Sequence, residues 1–365
     1  MIPLKQHLSN RAAAARVPLS GAFELTPRCN FRCKMCYVRL DPHQMPCPER
    51  SAEEWLELGR QARDAGMVFL LLTGGEPFLR RDFARIYEGL TDLGLSITIN
   101  TNGSLLSDDL KALFRRLPPA MVNVTLYAPN PEGYATLCGN PQGFHGAVAA
   151  VEFFQSLRTV VNLNATITPW NRAGYDGIWE LGRKMGLPPR IAAYNFPPTR
   201  CPGAPEFTRL PPQEVGQLLA QDLLRAHGPE RVLREAASFG TGDELPMGCS
   251  LEPGEGMGCY AGKSQFWITW AGSMTPCGML PGPEAQPFEV GFEAAWRQTV
   301  ANADKIRLCP DCSDCEIRGT CTNCAAVTHG ETGRFDGRPD YMCQLNQAYR
   351  QTIRQLAQQI REKNA

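Results

Sequence analysis

The sequence predicts an α/β fold: a parallel sheet crossed by helices, followed by a smaller region organised by cysteine. Three observations predict it. Short β-rich runs alternate with helix-spaced segments from Gly21 to about Phe196. Glycine and asparagine pairs fall just after those runs, where ligands of such sheets gather. The 15 cysteines crowd towards the C-terminal third, which is dense in Gly and Pro and poor in long periodic segments.

The strand runs are residues 23–25, 68–72, 96–100, 121–126, 160–168 and 190–195. A helix over 52–65 is marked by Ser51 as N-cap with Glu54 three residues later, the capping-box pattern. A second helix over 82–93 is closed by Gly94. A third follows Ser107 through Leu110, Leu113 and Phe114, and a fourth covers 144–157. A Pro-rich break at 197–212 precedes a helical stretch at 214–238, then Gly-rich sequence at 240–258. In the tail, Leu345, Tyr349, Ile353, Leu356 and Ile360 form one helical apolar stripe. Core packing against the barrel is the plainer use of that stripe, and a partner-binding helix the alternative.

The length of 365 residues suits about two domains and a sizeable core. Lys plus Arg equals Asp plus Glu at 37 each, so no basic field is available to hold nucleic acid. Residues 1–18 carry Lys5, Arg11 and Arg16 without an apolar core, which argues against a secretory signal. The longest apolar run, 67–72, is too short to cross a bilayer. A cytoplasmic placement with no membrane partner follows. In that reducing compartment an odd number of clustered cysteines points to metal rather than disulfides.

Cys29, Cys33 and Cys36 stand at x3 and x2 spacing in one loop after the first strand run, with Tyr37 next. A 4Fe–4S cluster normally takes four thiolates, so three leave one iron for a ligand that is not protein. A zinc knuckle would want a fourth Cys or His close by, and His43 is seven residues beyond Cys36. Thr73-Gly74-Gly75-Glu76-Pro77 ends the second strand run: glycines admit close backbone approach, and Glu76 can accept from an ammonium, although a tight turn would also explain the pair. Asn100-Thr101-Asn102-Gly103 ends the third, where a plain Asn-Gly turn is the alternative.

The cysteine loop resembles that of the radical S-adenosylmethionine (SAM) superfamily. The resemblance implies a partial (β/α)6 barrel and a cluster whose open iron chelates the amino and carboxylate groups of SAM. Reductive cleavage of SAM to a 5′-deoxyadenosyl radical would follow. It also implies SAM-contacting roles for Gly74, Gly75 and Glu76 (the amino group), for Thr101 and Asn102, and for Tyr37 near the adenine. Thr125, Tyr127, Asn164 and Asn171 are further polar groups at strand ends. The stretch Leu126, Tyr127, Tyr134, Cys138, Gly139, Gly143 and Phe144 is similar to one in the peptide-modifying branch of that superfamily.

The C-terminal order is Cys259-x12-Gly272-x4-Cys277, then Cys309, Cys312-x2-Cys315-x5-Cys321-x2-Cys324, and last Cys343. It resembles a SPASM domain, which carries two auxiliary 4Fe–4S clusters. The family's last spacing is usually x3 where Cys321 to Cys324 is x2. The resemblance assigns Cys259, Cys277 and Cys324 to one auxiliary cluster, with Cys249 or an open iron completing it. It assigns Cys312, Cys315, Cys321 and Cys343 to the other, with Cys309 surplus. A four-cysteine zinc ribbon from Cys312, Cys315, Cys321 and Cys324 is the alternative, and leaves Cys259, Cys277 and Cys343 unexplained. Cys47, Cys138 and Cys201 fit no pattern and read as ordinary buried or loop thiols. The implied divisions are an arm at 1–20, the barrel at 21–205, a linker with helix at 206–248, a SPASM-like Fe–S domain at 249–345 and a terminal helix at 346–365.

The activity so implied is that of a radical SAM oxidoreductase that modifies a ribosomally made peptide by crosslink, thioether, epimerisation or oxidation. Its partners would be the peptide or protein substrate and a flavodoxin- or ferredoxin-type electron donor. About twenty residues precede the first strand, too few for a leader-binding domain, so a separate leader-binding protein or the enzyme body would serve. The first alternative is a sulfatase-maturing enzyme that makes formylglycine. In those enzymes a carboxylate base follows the cysteine corresponding to Cys277, and here that residue is Gly278. The second is a non-catalytic Fe–S or SAM-binding protein. Tyr127, His329 and Glu331 are open acid–base candidates.

Overall fold

The computed structural model describes residues 4–198, 208–239, 256–312 and 315–364. In chain order the first elements are α1 (Leu4–Ala15), β1 (Ser20–Glu24), α2 (Ala52–Asp64), β2 (Phe69–Thr73), α3 (Phe83–Asp92), β3 (Ser96–Thr101) and α4 (Asp108–Arg116). Next come β4 (Met121–Thr125), α5 (Pro131–Cys138), α6 (Gly143–Ser156), β5 (Val160–Thr166), α7 (Tyr175–Lys184) and β6 (Arg190–Ala192). The remainder are α8 (Pro212–His227), α9 (Pro229–Ser238), β7 (Gln265–Ile268), β8 (Met274–Thr275), α10 (Pro287–Val290), α11 (Phe292–Ala303), α12 (Ala325–Thr332) and α13 (Asp340–Asn364). They form two compact units. The first takes the chain up to Arg190 and again Tyr260–Asp304, and the second takes Ile191–Pro197, residues 208–239, 256–259 and 305–364.

In the first unit the strands run in the order β5-β4-β3-β2-β1-β7-β8. All neighbours are parallel except β7 with β8. β1 is flanked on both sides, Gly21 pairing with Leu70 of β2 and with Phe266 of β7. Burial alternates along β3 and β4, as the two-residue period of a strand requires. Ile97, Ile99, Val122 and Val124 turn one face into a core with Phe83, Tyr87 and Phe114. The rings of Tyr87 and Phe114 meet edge to face at 5.2 Å. On β3, β4 and β5 an asparagine ladder crosses the sheet in register: Asn123 Nδ2 donates to Asn100 Oδ1 at 2.7 Å, and Asn162 Nδ2 to Asn123 Oδ1 at 2.8 Å.

The capping box expected at Ser51 is present: the Glu54 N–H donates to Ser51 Oγ at 3.2 Å and the Ser51 N–H to Glu54 Oε2 at 2.7 Å. Ser107 caps α4 through the Leu110 N–H. Gly94, at φ +80°, ends α3. The helical stretch expected at 214–238 is two helices, because Gly228 at φ +77° and Pro229 end one and start the next. In the second unit Tyr349, Ile353, Leu356 and Ile360 of α13 pack with Ala220 and Val232 of α8 and α9, so these tail residues are core, as expected, but their partners are those two helices and not the barrel. Among the described residues no helix is long and apolar enough to cross a membrane.

Candidate active site

The cysteine loop leaves the C-terminal end of β1 and is clamped to the turn after β2. The Gly75 N–H donates to Thr26 O at 2.7 Å, and the Glu76 N–H to Arg28 O at 2.9 Å. A Cβ on Gly75 would lie 2.3 Å from Arg28 O, and one on Gly74 2.5 Å from Thr26 O. Both glycines are therefore required by loop-on-loop packing. Arg80 adds a tie from its Nη1 to Leu25 O at 2.8 Å, and Arg28 pairs with Glu49 at 2.7 Å.

Glu76, Thr101 and Asn102 come together at the ends of β2 and β3. Glu76 is fully buried. Its Oε1 accepts from the Thr101 hydroxyl at 2.8 Å and the Phe78 N–H at 3.1 Å, and its Oε2 from the Asn102 N–H at 2.7 Å. Burial pushes its carboxyl up to about 7, against the pull of those three hydrogen bonds. All three partners are neutral, so this is a buried carboxylate in need of a cation. Asn102 Nδ2 also lies 3.7 Å from Cys29 Sγ and donates to Asn30 Oδ1 at 3.0 Å, which joins the β3 turn to the cysteine loop.

Cys29, Cys33 and Cys36 are half-buried, as is Tyr37. All three thiols bear on one phenol, that of Tyr127. Cys29 Sγ accepts from the Phe31 N–H at 3.4 Å and Cys36 Sγ from the Arg39 N–H at 3.3 Å. Such donors suit thiolate ligands of an iron cluster. Burial pushes the Cys29 thiol up to about 12, and a hydrogen bond with Cys138 together with burial raises Cys33. Loading iron on this loop therefore means releasing protons. Among the described residues no three His, Cys, Asp or Glu side chains are drawn together as a single metal ion would draw them. A cube spreads its thiolate ligands over separate irons and, held by three, leaves one iron open to a ligand that is not protein.

Cys138 was not singled out by spacing, yet the fold buries it within hydrogen-bonding reach of Cys33. It sits at the end of α5, and no local pattern links it to a loop over a hundred residues earlier. Tyr127 lies two residues past β4, its ring edge-on to Phe31 and to Tyr134 at centroid distances of 6.0 and 5.7 Å.

In the second unit Cys312 lies in the electrostatic reach of Cys309, Cys321 and Cys343, and Cys321 in that of Cys315, Cys324 and Cys343. The thiols at 309–324 and Cys343 thus share one region. Cys259 is also in this unit, Cys277 is in the first, and Cys249 and Cys201 lie outside the described residues. Glu331 is held by Arg209 in a two-point ion pair, with the Tyr194 hydroxyl donating at 2.6 Å. Burial would raise its carboxyl, but those partners outweigh it and hold the group below its usual range. Such a carboxylate is a poor base. His329 packs on Phe335 with ring centroids 4.8 Å apart.

A thiol triad after β1, a buried carboxylate after β2 and a polar turn after β3 stand at one end of a parallel sheet. Residues 23–172 match the Radical SAM superfamily, so the chain carries a radical SAM domain and is an enzyme of that kind, which binds a 4Fe–4S cluster and SAM. The chain is 25% identical over 342 residues to an AdoMet-dependent heme synthase of Methanosarcina barkeri, covering 88% of this chain and 95% of that one. Its fold is similar to Streptococcus suis SuiB bound to S-adenosylmethionine (TM-score 0.64, 16% identity, 94% of this chain and 81% of that one). It is also similar to anSMEcpe with bound AdoMet (TM-score 0.68, 16% identity, 94% and 100%). Both likenesses run through the Cys-rich C-terminal part.

Proposed function

We propose that this enzyme modifies a ribosomally synthesised peptide, with Cys29, Cys33 and Cys36 holding the cluster that binds SAM. When bound, the cluster and SAM supply a 5′-deoxyadenosyl radical that takes hydrogen from an unactivated carbon. Glu76 accepts from the SAM ammonium, whose charge answers its buried carboxylate. Thr101 and Asn102 fix that carboxylate, Gly74 and Gly75 let the loops close, and Tyr37 borders the adenine. Cys312, Cys315, Cys321 and Cys343 hold one auxiliary cluster. Cys259, Cys277 and Cys324 belong to another, with Cys249 the candidate for its fourth ligand; this set rests on the sequence pattern.

The observation that carries the reading is the crowd of thiols from Cys309 to Cys343 in the second unit, on a fold similar to that of SuiB bound to precursor peptide SuiA. The formylglycine alternative is opposed by packing as well as sequence: a Cβ on Gly278 would lie 2.5 Å from the Trp267 indole, leaving no room for a carboxylate. A second reading, a haem-precursor substrate, is favoured by the heme synthase relatives that match along 88% of the chain.

The test is anaerobic reconstitution with SAM and a one-electron reductant, followed by mass spectrometry of three candidate substrates: a precursor peptide encoded beside the enzyme, a sulfatase peptide and a haem precursor. A mass change in the precursor peptide with matching 5′-deoxyadenosine is expected. Turnover of the haem precursor or the sulfatase peptide alone would reject the proposal. Iron analysis separates the cluster content: about twelve irons per chain for three clusters, about four with zinc for a zinc-ribbon appendage.

A further inference from the structure

Cys321 and Cys324 are separated by two residues, yet each of those two residues is tied to a different helix. A turn would bring the ends of four residues within about 7 Å. Residues 321–324 form none. The backbone is extended at Cys321 (φ −72°, ψ 131°) and again at Cys324 (φ −147°, ψ 168°).

Thr322 is tied to α13. Its N–H donates to Asn346 Oδ1 at 3.2 Å, and its hydroxyl to the same oxygen at 3.4 Å. Asn346 is buried, and its Nδ2 donates to Met342 O at 2.8 Å, which fixes the orientation of the amide. Cys343 stands three residues earlier on α13, on the same face of the helix. One turn beyond Asn346, Arg350 Nη1 donates to the Thr320 hydroxyl at 2.8 Å. The chain on both sides of Cys321 is thus held to the face that carries Cys343. Asn323, by contrast, is tied to α12. Its Nδ2 donates to the buried Thr328 hydroxyl at 2.9 Å, and the Thr328 N–H donates to Cys324 O at 2.9 Å. Cys324 is thereby the N-cap of α12. All of these residues belong to the second unit.

We infer that Asn346 is a positioning residue that holds the Cys321–Thr322 peptide against α13 beside Cys343, while Asn323 and Thr328 carry Cys324 to the head of α12. Two cysteines close in sequence are sorted in this way to separate metal centres. The inference rests on the reading that Cys321 and Cys343 serve one auxiliary cluster and Cys324 another. An extended link suits that division, because two ligands of a single zinc ion would both have to approach it to about 2.3 Å. The tie from Asn346 acts on the backbone next to a ligand, so it sets where the thiol stands without touching the metal.

The test uses the full-length chain. Metal-free wild type is treated with dibromobimane, which bridges neighbouring thiols, and the bridged peptides are mapped by mass spectrometry. A Cys321–Cys343 bridge is expected. Asn346→Leu keeps the branched shape but leaves the Thr322 N–H without its acceptor, so the yield of that bridge should fall about tenfold. Asn346→Asp keeps the accepting oxygen and should retain the bridge. After anaerobic reconstitution, Asn346→Leu should lack about four irons per chain. It should also lack the EPR signal that Cys343→Ala lacks, and keep the one that Cys33→Ala lacks. Loss of both signals together would mark a merely structural role and overturn the inference. So would a wild type without the Cys321–Cys343 bridge, an equal bridge or full iron in Asn346→Leu, or loss of the bridge in Asn346→Asp. A wild type from which Cys343→Ala removes no signal would instead overturn the auxiliary-cluster reading, and the bridge alone would then decide whether Asn346 aligns the two thiols.

Discussion

Replacing Glu76 by glutamine separates what this carboxylate does for SAM from what it does for the fold. The carboxyl ordinarily titrates near 4.5, and burial moves it to about 7 in the folded chain. Between those values the folded state keeps a proton that the unfolded state releases. For this group, stability is therefore greatest below about pH 4.5, declines as pH rises to about 7, and is level above it. The decline amounts to about 3 kcal/mol, which is the cost of burying the charge without a cation. Glu76→Gln removes that cost at pH 8. It also turns an amide NH2 towards the Asn102 N–H or towards the Thr101 and Phe78 donors, leaving an unsatisfied buried donor at about 1–3 kcal/mol. The two effects nearly cancel, so urea unfolding of the apo variant at pH 8 should match wild type within about 2 kcal/mol. SAM binding has no such compensation. A hydrogen bond between charged partners is worth about 1.5–3 kcal/mol, so equilibrium dialysis on reconstituted protein should find SAM roughly ten- to a hundredfold weaker. Wild-type affinity should tighten as pH rises through about 7, where the carboxylate ionises, and the variant should lose that dependence. A dissociation constant within twofold of wild type would refute the role assigned to Glu76.

Cys33→Ala should abolish 5′-deoxyadenosine formation, measured by chromatography; cleavage at the wild-type rate would reject the site. Cys324→Ala should spare SAM cleavage and block the modified product, so normal product would remove Cys324 from the auxiliary set. Gly75→Ala drives a methyl into the Arg28 carbonyl and should cost about 1–3 kcal/mol in denaturant unfolding, with reduced iron uptake. An unchanged midpoint would mean that the two loops separate easily.

The strands of the sheet as far as β5 were legible because each is a short apolar or alternating run, and α2 and α4 because Ser51 and Ser107 carry local capping chemistry. The meeting of Glu76 with Thr101 and Asn102 was anticipated only through the family resemblance; its cause is the parallel pairing of β2 with β3. Three features had no local signal. The helix α1 has little amphipathic pattern. The proximity of Cys138 to Cys33 depends on where α5 is placed. The pairing of β7 with β1 joins segments over two hundred residues apart, and sequence periodicity carries no information about partners.

That last pairing bears on how the enzyme is made. One of the two edges of β1 waits for β7, which leaves the ribosome roughly 240 residues later. At about 5–20 residues per second the wait is on the order of tens of seconds. Throughout it, a short apolar strand has an open edge able to pair with another chain. The cysteine loop hangs from the same strand. Synthesis speed, chaperone cover and the timing of iron delivery would therefore act on one spot, and poor yields of loaded enzyme should respond to slower expression at low temperature before they respond to added iron.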